Sequence, residues 1–497
     1  MTSKNRISLS TAYPMKDSIV YYFISIIRWY VRLGVPATYL PCPQGMLRKF
    51  VHCLKIVFES MGKFSKLTGI SVVVANMVGT GVFTSLGFQL VAIDSPFVIM
   101  MLWLVGGITA ICGALTYAEL GANLPRSGGE YNFLSHLYHP CAGFISGWVS
   151  ATVGFAAPVA LASITFGAYL NAVFPFISIT WSAVSLVILL TTAHCLSRET
   201  SSGVQQIFTI IKIVLILLFC IAIFIWGTSP QHISLMPKSG DEKLLLSGAF
   251  AVSLIYVNYA YTGWNAATYL TSELENPQRN LPIVLAIGTA TVSLLYLLLN
   301  LTFLSAAPMD SMAGKLEIGV IVADQALGGN ASQIMGVVLA LLLISTVSAM
   351  TMAGPRVLQV IGEDFRLFSR LAVCNKQGIP VKAILFQGVL ALFFILSSTF
   401  ESVLVFSSFV LGINTLFAVL GVFLMRWRKL GIVGAYKTFA YPVAPLIYLG
   451  ITVWTLIYVL ILRPQEGWLG FGIITLGGLI YVCTTGFQRS DNSKTST

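Results

Sequence analysis

Val72 to Phe83 reads VVVANMVGTGVF, and its three consecutive residues Gly79-Thr80-Gly81 lower helix propensity in the middle of an apolar run. That run begins near Leu67 and is long enough to cross a bilayer. A spanning helix keeps its backbone bonded to itself, because hydrocarbon supplies no water to a free N–H. A break at this depth is tolerated where it lines a cavity, and its freed N–H groups then suit an anion such as a carboxylate. Close helix packing through small residues is a second reading, and this stretch alone leaves both open.

The rest of the chain sets the context. Its 497 residues are 56% hydrophobic and only 9% charged, with a mean hydropathy of +0.85. Soluble domains carry roughly 25% charged residues, so this is an all-α polytopic membrane protein. Twelve apolar segments can be marked: 67–90, 97–119, 142–170, 177–195, 207–227, 246–270, 283–306, 333–358, 383–399, 403–425, 441–462 and 468–485. The net charge of +11 would fit a nucleic-acid partner, but its placement points elsewhere. With the N-terminus inside, the outer loops hold only Lys238, Lys243, Lys315 and Arg463. This positive-inside bias puts both termini in the cytoplasm and leaves anionic lipid, not nucleic acid, as the partner of the excess charge.

None of the eight cysteines falls in an outer loop, and their spacing forms neither a CxxC pair nor a Cys/His zinc pattern. No metal or cofactor is implied. HExxH, GxSxG and GxxxxGK[ST] are absent, and the five histidines do not pair at ligand spacing, so an enzyme is not expected. Residues 1–60 are expected to form a cytoplasmic extension. Arg28 and Arg32 interrupt its apolar stretch, which leaves a basic amphipathic helix on the inner leaflet or a natural start at Met61. The transmembrane domain is expected over 61–485, with a cytoplasmic tail over 486–497.

The second span ends in TYAELGANLPRSGGEYNFL, where Pro125, Gly128 and Gly129 break the chain and SGGE reads as a turn. The sixth span is the second unusual one. Asn258-Tyr259-Ala260-Tyr261-Thr262-Gly263-Trp264-Asn265 places a glycine among polar and aromatic residues at a depth where Leu and Val belong. It runs into SELENPQRNLP, whose Asn-Pro and Leu-Pro steps end one helix and start the next. The two interrupted spans, first and sixth, occupy corresponding positions if spans 1–5 (67–227) and 6–10 (246–425) are repeats. Five spans per repeat give opposite membrane orientations, the inverted-repeat plan with a site between the broken helices. Spans 11 and 12 (441–485) are then additions.

From here the residues resemble the amino acid–polyamine–organocation permeases, most closely the L-type amino acid transporter branch and its prokaryotic relatives. The resemblance covers about residues 62–462. It rests on GTGVF (Gly79–Phe83), AELG with PRSGGEY (Ala118–Tyr131), VQQIFTIIK (Val204–Lys212) and AYTGWNAATYLTSELENPQRNLP (Ala260–Pro282). It implies a LeuT-like 5+5 inverted repeat with two extra C-terminal helices, twelve in all, and an α-amino acid bound at the two breaks. Backbone N–H groups around Thr80 and Gly81, with Gly79 and the Thr80 hydroxyl, would hold the carboxylate. Carbonyls near Asn76, Met77 and Val78 and near Tyr259 and Ala260 would take the ammonium. Helix ends support such a zwitterion clamp, since an N-terminus favours an anion and a C-terminus a cation. The resemblance further gives Tyr259 as an outer gate. It gives Trp264 and Asn265, with Tyr261, Thr262 and Gly263, as the side-chain pocket.

Lys212 matches the lysine that stands where sodium-coupled relatives bind an ion between spans 1 and 8. A lysine so deep needs carbonyls, and those freed near Gly79 are the expected ones; snorkelling to the surface is the alternative. Glu119, Glu130 and Glu273 with Arg126 and Arg279 lie at inner span ends and are read as gate ion pairs or as ordinary solvated charges. The loop Asn171–Phe176 lacks the cysteine of heavy-chain-linked members, so no disulfide-linked heavy chain is expected. The resulting expectation is a sodium-independent secondary transporter of neutral L-amino acids, working as an exchanger or a proton symporter. No Asp or Glu sits in the middle of a span, which disfavours cationic amino acids and polyamines. The small residues Ser150, Gly154, Ala156 and Ala157 of span three point to a roomy pocket. An amino-acid-binding sensor without transport is the other alternative.

Overall fold

Ser65 starts the first helix by accepting a hydrogen bond from the Thr68 N–H, an N-cap that satisfies one otherwise unpaired donor. In the computed structural model, which describes residues 64–196, 202–228, 230–365, 368–375 and 378–495, that helix is α1, Lys66–Met77. It stops at Val78, and the chain resumes as α2, Gly81–Gln89. The expected interruption is therefore a physical break of three residues. All the described residues belong to one unit, Lys63–Thr497, and the expectations for residues 1–60 lie outside them.

The helices of eight or more residues that follow are α3 (Pro96–Asn123), α4 (Glu130–Leu137), α5 (Pro140–Val149), α6 (Ala156–Val173), α7 (Ile179–Leu196) and α8 (Ser202–Trp226). The second half holds α9 (Gly248–Tyr261), α10 (Pro277–Ala306), α11 (Ile318–Leu327), α12 (Gly329–Asp364), α13 (Val381–Ser397), α14 (Phe400–Trp427), α15 (Val443–Leu462) and α16 (Pro464–Thr495). Ser95, Ser247 and Thr399 cap α3, α9 and α14 as Ser65 caps α1. Among the described residues ten stretches are long and apolar enough to cross a membrane, with α1–α2 and α5–α6 counted as one each. The segments 246–270 and 383–399 fall outside that count, because α9 has 14 residues and α13 has 17. α16 continues helically to Thr495, past the boundary expected at 485, and its membrane-length part is Pro464–Thr484.

Two irregularities shape the interior. Between α5 and α6 the backbone widens into a π-turn, Ser150–Gly154, closed by Phe155 N–H donating to the Ser150 carbonyl at 3.1 Å. Pro158 has no N–H to offer the Gly154 carbonyl, which accounts for the local loss of α-helical bonding. After α9 the chain turns at Thr262–Asn265 and continues as a 3₁₀ stretch, Ala266–Glu273. Phe64 pairs with the end of that stretch, its N–H donating to the Glu273 carbonyl and its carbonyl accepting from the Glu275 N–H.

Helices early in the chain pack on later ones: α2 on α9, α3 on α10, α6 on α12 and α7 on α13. At the centre Trp103, Tyr261 and Tyr296 are fully buried and meet ring to ring at 5.1–6.1 Å. Large apolar side chains such as Leu189, Trp226 and Phe393 stay exposed on the outside, the surface a bilayer would cover.

Candidate functional site

The two breaks face each other. A Cβ built on Gly81 would lie 2.4 Å from the Ala260 Cα, so only glycine lets α2 come this close to α9. Gly263, at φ +105, brings its backbone against Asn76 in the same way, with a built Cβ 2.8 Å from the Asn76 carbonyl. Tyr296, which the sequence reading passed over, joins the breaks: its hydroxyl sits 2.6 Å from the Met77 carbonyl and 3.0 Å from the Ala260 carbonyl.

Lys212 is buried, and its Nζ reaches the Val78 carbonyl at 3.4 Å and the Thr346 Oγ1 at 2.8 Å. It bridges the first break to α12 and does not snorkel to the surface. The carbonyls proposed from the resemblance to receive an ammonium are engaged within the protein. Met77 accepts from Gly79 N–H and Tyr296, Val78 from Lys212, Tyr259 from Thr262 N–H, and Ala260 from Tyr296. Each carbonyl has two lone pairs, so an ammonium would be a second donor at Val78, Tyr259 and Ala260, whereas Met77 already accepts two. At the N-terminus of α2, the first N–H groups have no intrahelical carbonyl, as at every helix start. Thr80 is 3% exposed, its Oγ1 3.5 Å from the Tyr259 hydroxyl.

A cavity of about 360 Å³ begins beside the breaks and extends toward Ser127, Gly128, Glu273 and Arg356. Of the expected binding residues, Asn76, Tyr261, Thr262, Gly263, Trp264 and Asn265 line it. Met77, Val78, Gly79, Thr80, Gly81, Tyr259 and Ala260 do not, because Gly81 against Ala260 closes that side. Ser150 and Gly154 of the π-turn also line it, while Ala156 and Ala157 are buried elsewhere in the packing. Trp264 stands edge to face on Tyr117 with centroids 4.7 Å apart, and a side chain on Gly113 would strike its ring.

The five charged residues expected at inner span ends separate. Glu119 forms a two-pronged pair with Arg426, Nε to Oε1 and Nη2 to Oε2 both at 2.8 Å, and also accepts from Thr438 N–H at 2.7 Å. Arg126 lies 3.6 Å from Asp364, which accepts a short hydrogen bond from Tyr131. Burial, then the Asp364 carboxylate, pushes the Tyr131 hydroxyl above its usual range. Glu273 lines the cavity, and Arg279 forms no ion pair with any of the other four among the described residues. Of the two readings, ion pairs or solvated charges, Glu119 and Arg126 follow the first, with partners outside the group on α14 and α12.

Glu130 departs furthest from expectation. Gly128 and Gly129, at φ +118 and +52, swing the chain so that Glu130 opens α4 with its side chain turned into the bundle. It is 1% exposed, accepts from Tyr117 at 3.0 Å and from Asn265 and Tyr269, and lines the cavity. The SGGE pattern held the signal: paired glycines before an acid at the first position of a helix.

These features define a multi-pass α-helical membrane protein with a cavity beside two interrupted helices. A family model for amino acid permeases matches residues 64–487. The chain is 27% identical over 423 residues to the b(0,+)-type amino acid transporter 1 of Homo sapiens, covering 84% of this chain and 86% of that one. It is 26% identical over 441 residues to the Mus musculus protein of the same name, covering 87% and 90%. Against the large neutral amino acids transporter small subunit 2 of Homo sapiens it is 28% identical over 422 residues, covering 82% and 78%. The chain belongs to the amino acid permease family, whose relatives here are transporters.

Proposed function

We propose that the protein is a sodium-independent secondary transporter of L-amino acids, neutral ones among them, working by alternating access as an exchanger or a proton symporter. The observation that carries the reading is the approach of the two breaks, Gly81 on Ala260 with Tyr296 between their carbonyls. Two half-helices ending side by side supply the opposite partial charges that a zwitterion needs. Gly79, Thr80 and Gly81 form the carboxylate side, and Asn76, Met77, Val78, Tyr259 and Ala260 the ammonium side. The cavity meets that clamp at Asn76 and runs past Trp264 and Asn265. With Thr80 and Tyr259 closed over one side, this is the arrangement of a carrier open to the other.

The pairing of α2 with α9, α3 with α10, α6 with α12 and α7 with α13 supports a 5+5 inverted repeat with two added helices, twelve spans in all. The distribution of Lys and Arg puts both termini in the cytoplasm, so the cavity opens inward. Lys212 places its Nζ between span 1 and span 8, on the Val78 carbonyl and Thr346, which argues against a sodium ion there and leaves it as a structural cation or as the group that couples to protons. Relatives named as small subunits belong by that name to larger assemblies. The loop after α6, residues 174–178, offers no cysteine to such a partner. Radiolabelled uptake into sodium-free proteoliposomes, with and without internal amino acid and an inward proton gradient, tests the reading. Uptake that requires internal substrate identifies an exchanger and gradient-driven accumulation a symporter. Binding with no uptake under any condition would favour a sensor.

A further inference from the structure

α9 runs from Gly248 to the second break, so Tyr256, one turn before the clamp residues Tyr259 and Ala260, lies on the closed side. There α2 and α9 are joined as one body. Beyond the approach of Gly81 to Ala260, the Ser85 hydroxyl donates to the Tyr256 carbonyl at 3.0 Å. This pair is fastened twice to the start of α14. Phe88 of α2 is stacked between the rings of Tyr256 and Phe400, with centroids 5.5 and 5.7 Å away. The hydroxyl of the buried Tyr256 donates to Glu401 Oε1 at 2.6 Å. The next partner comes from outside the proposed repeat. Arg463, in the link between α15 and α16, pairs with the same Glu401 oxygen and lies 3.4 Å from the Tyr256 hydroxyl. Three residues on, Glu466 accepts from the Ser402 hydroxyl at 3.0 Å. The link therefore grips the first turn of α14 at two adjacent residues, and a carboxylate held by an arginine is a fixed, strong acceptor for a tyrosine.

We propose that α15 and α16 supply a latch on the outer side: Arg463 presents Glu401 to Tyr256, and release of Tyr256 frees α2 and α9 to swing outward together. This gives the two added helices a task in the cycle, and it rests on the transport reading. The latch biases the resting carrier toward the state with its outer side shut. A hydrogen bond to a charged group is strong enough to shift a two-state equilibrium about tenfold. Apparent affinity at the outer face is reduced by the fraction of carrier facing that way, so unlatching tightens it.

The test is radiolabelled leucine uptake by the full chain in intact cells and in inverted membrane vesicles, which present opposite faces to the substrate. Tyr256→Phe keeps the ring stack and removes only the hydroxyl. It should lower the half-saturation concentration at the outer face by about fivefold or more without lowering the inner one. Arg463→Gln, a change in the added helices, should move the outer-to-inner ratio in the same direction. Arg463 is partly exposed, so its variant carries the test if Tyr256→Phe does not fold. Hydrogen exchange of the purified variants should rise in peptides from α2 and α9. An Arg463→Gln ratio equal to wild type would overturn the proposal. So would a rise of both half-saturation concentrations together, the mark of general damage to packing. In either case leucine transport survives and the transport reading stands. Absence of wild-type uptake at both faces would remove that reading, and this one with it.

Discussion

Tyr296 shares one hydroxyl proton between the Met77 and Ala260 carbonyls, the ends of both interrupted helices. Tyr296→Phe leaves the ring packing against Trp103 and Tyr261 but strips a donor from two buried acceptors. The expected cost is about 1–3 kcal/mol, seen as a lower melting midpoint of the purified protein together with weaker substrate binding. The glycines of the first break are not equivalent. Gly79 has ordinary room for a Cβ, whereas on Gly81 it would enter the Ala260 backbone. Gly81→Ala should therefore lose binding far more than Gly79→Ala, measured by ligand-induced thermal shift. The GTG triplet and the polar run in the sixth span were legible because both violate the pattern of a membrane helix. Tyr296 was not, since one tyrosine in an apolar span carries no periodic or motif signal. Glu130 was misread for another reason: in sequence it follows a loop, and only the two left-handed glycines turn it inward.

At the scale of elements, the Glu119–Arg426 pair fastens α3 to α14 and to the loop at Thr438. The Glu119 side chain is 3% exposed and Arg426 27%, so part of the pair is shielded from screening. Glu119→Gln should lower stability by about 2 kcal/mol, below the value for a fully buried pair because Arg426 keeps some water. Denaturation of wild type beside Glu119→Gln checks this, and Arg426→Gln should cost a similar amount. From sequence Glu119, at an inner span end, reads equally as one of an ion pair or as a solvated charge. The identity of the partner was not legible, because residues 119 and 426 lie in different halves and nothing local links them. The π-turn at Ser150–Gly154 was legible only as a cluster of small residues. Its cause, Pro158, acts through a hydrogen bond it cannot make.

Across the whole molecule, the proposed inverted repeat would let one half move against the other around the centre where α2 meets α9. Lys212 ties that centre to α12, so Lys212→Met should stop transport while uptake by the wild type stays equal in sodium and sodium-free buffer; parallel uptake assays check both. That the chain is a multi-pass helical membrane protein followed from apolar length, a property that any bilayer imposes, and ten of its stretches reach membrane length among the described residues. The shape of the cavity did not follow, since it depends on which side of the clamp is shut. The central claim is that the paired breaks are the substrate site, and counterflow of radiolabelled leucine in proteoliposomes tests it most directly, with wild type beside Gly81→Ala. Exchange by the wild type and none by a Gly81→Ala protein of normal size-exclusion profile is the predicted result. Equal exchange by both would contradict the account and move the site away from the breaks.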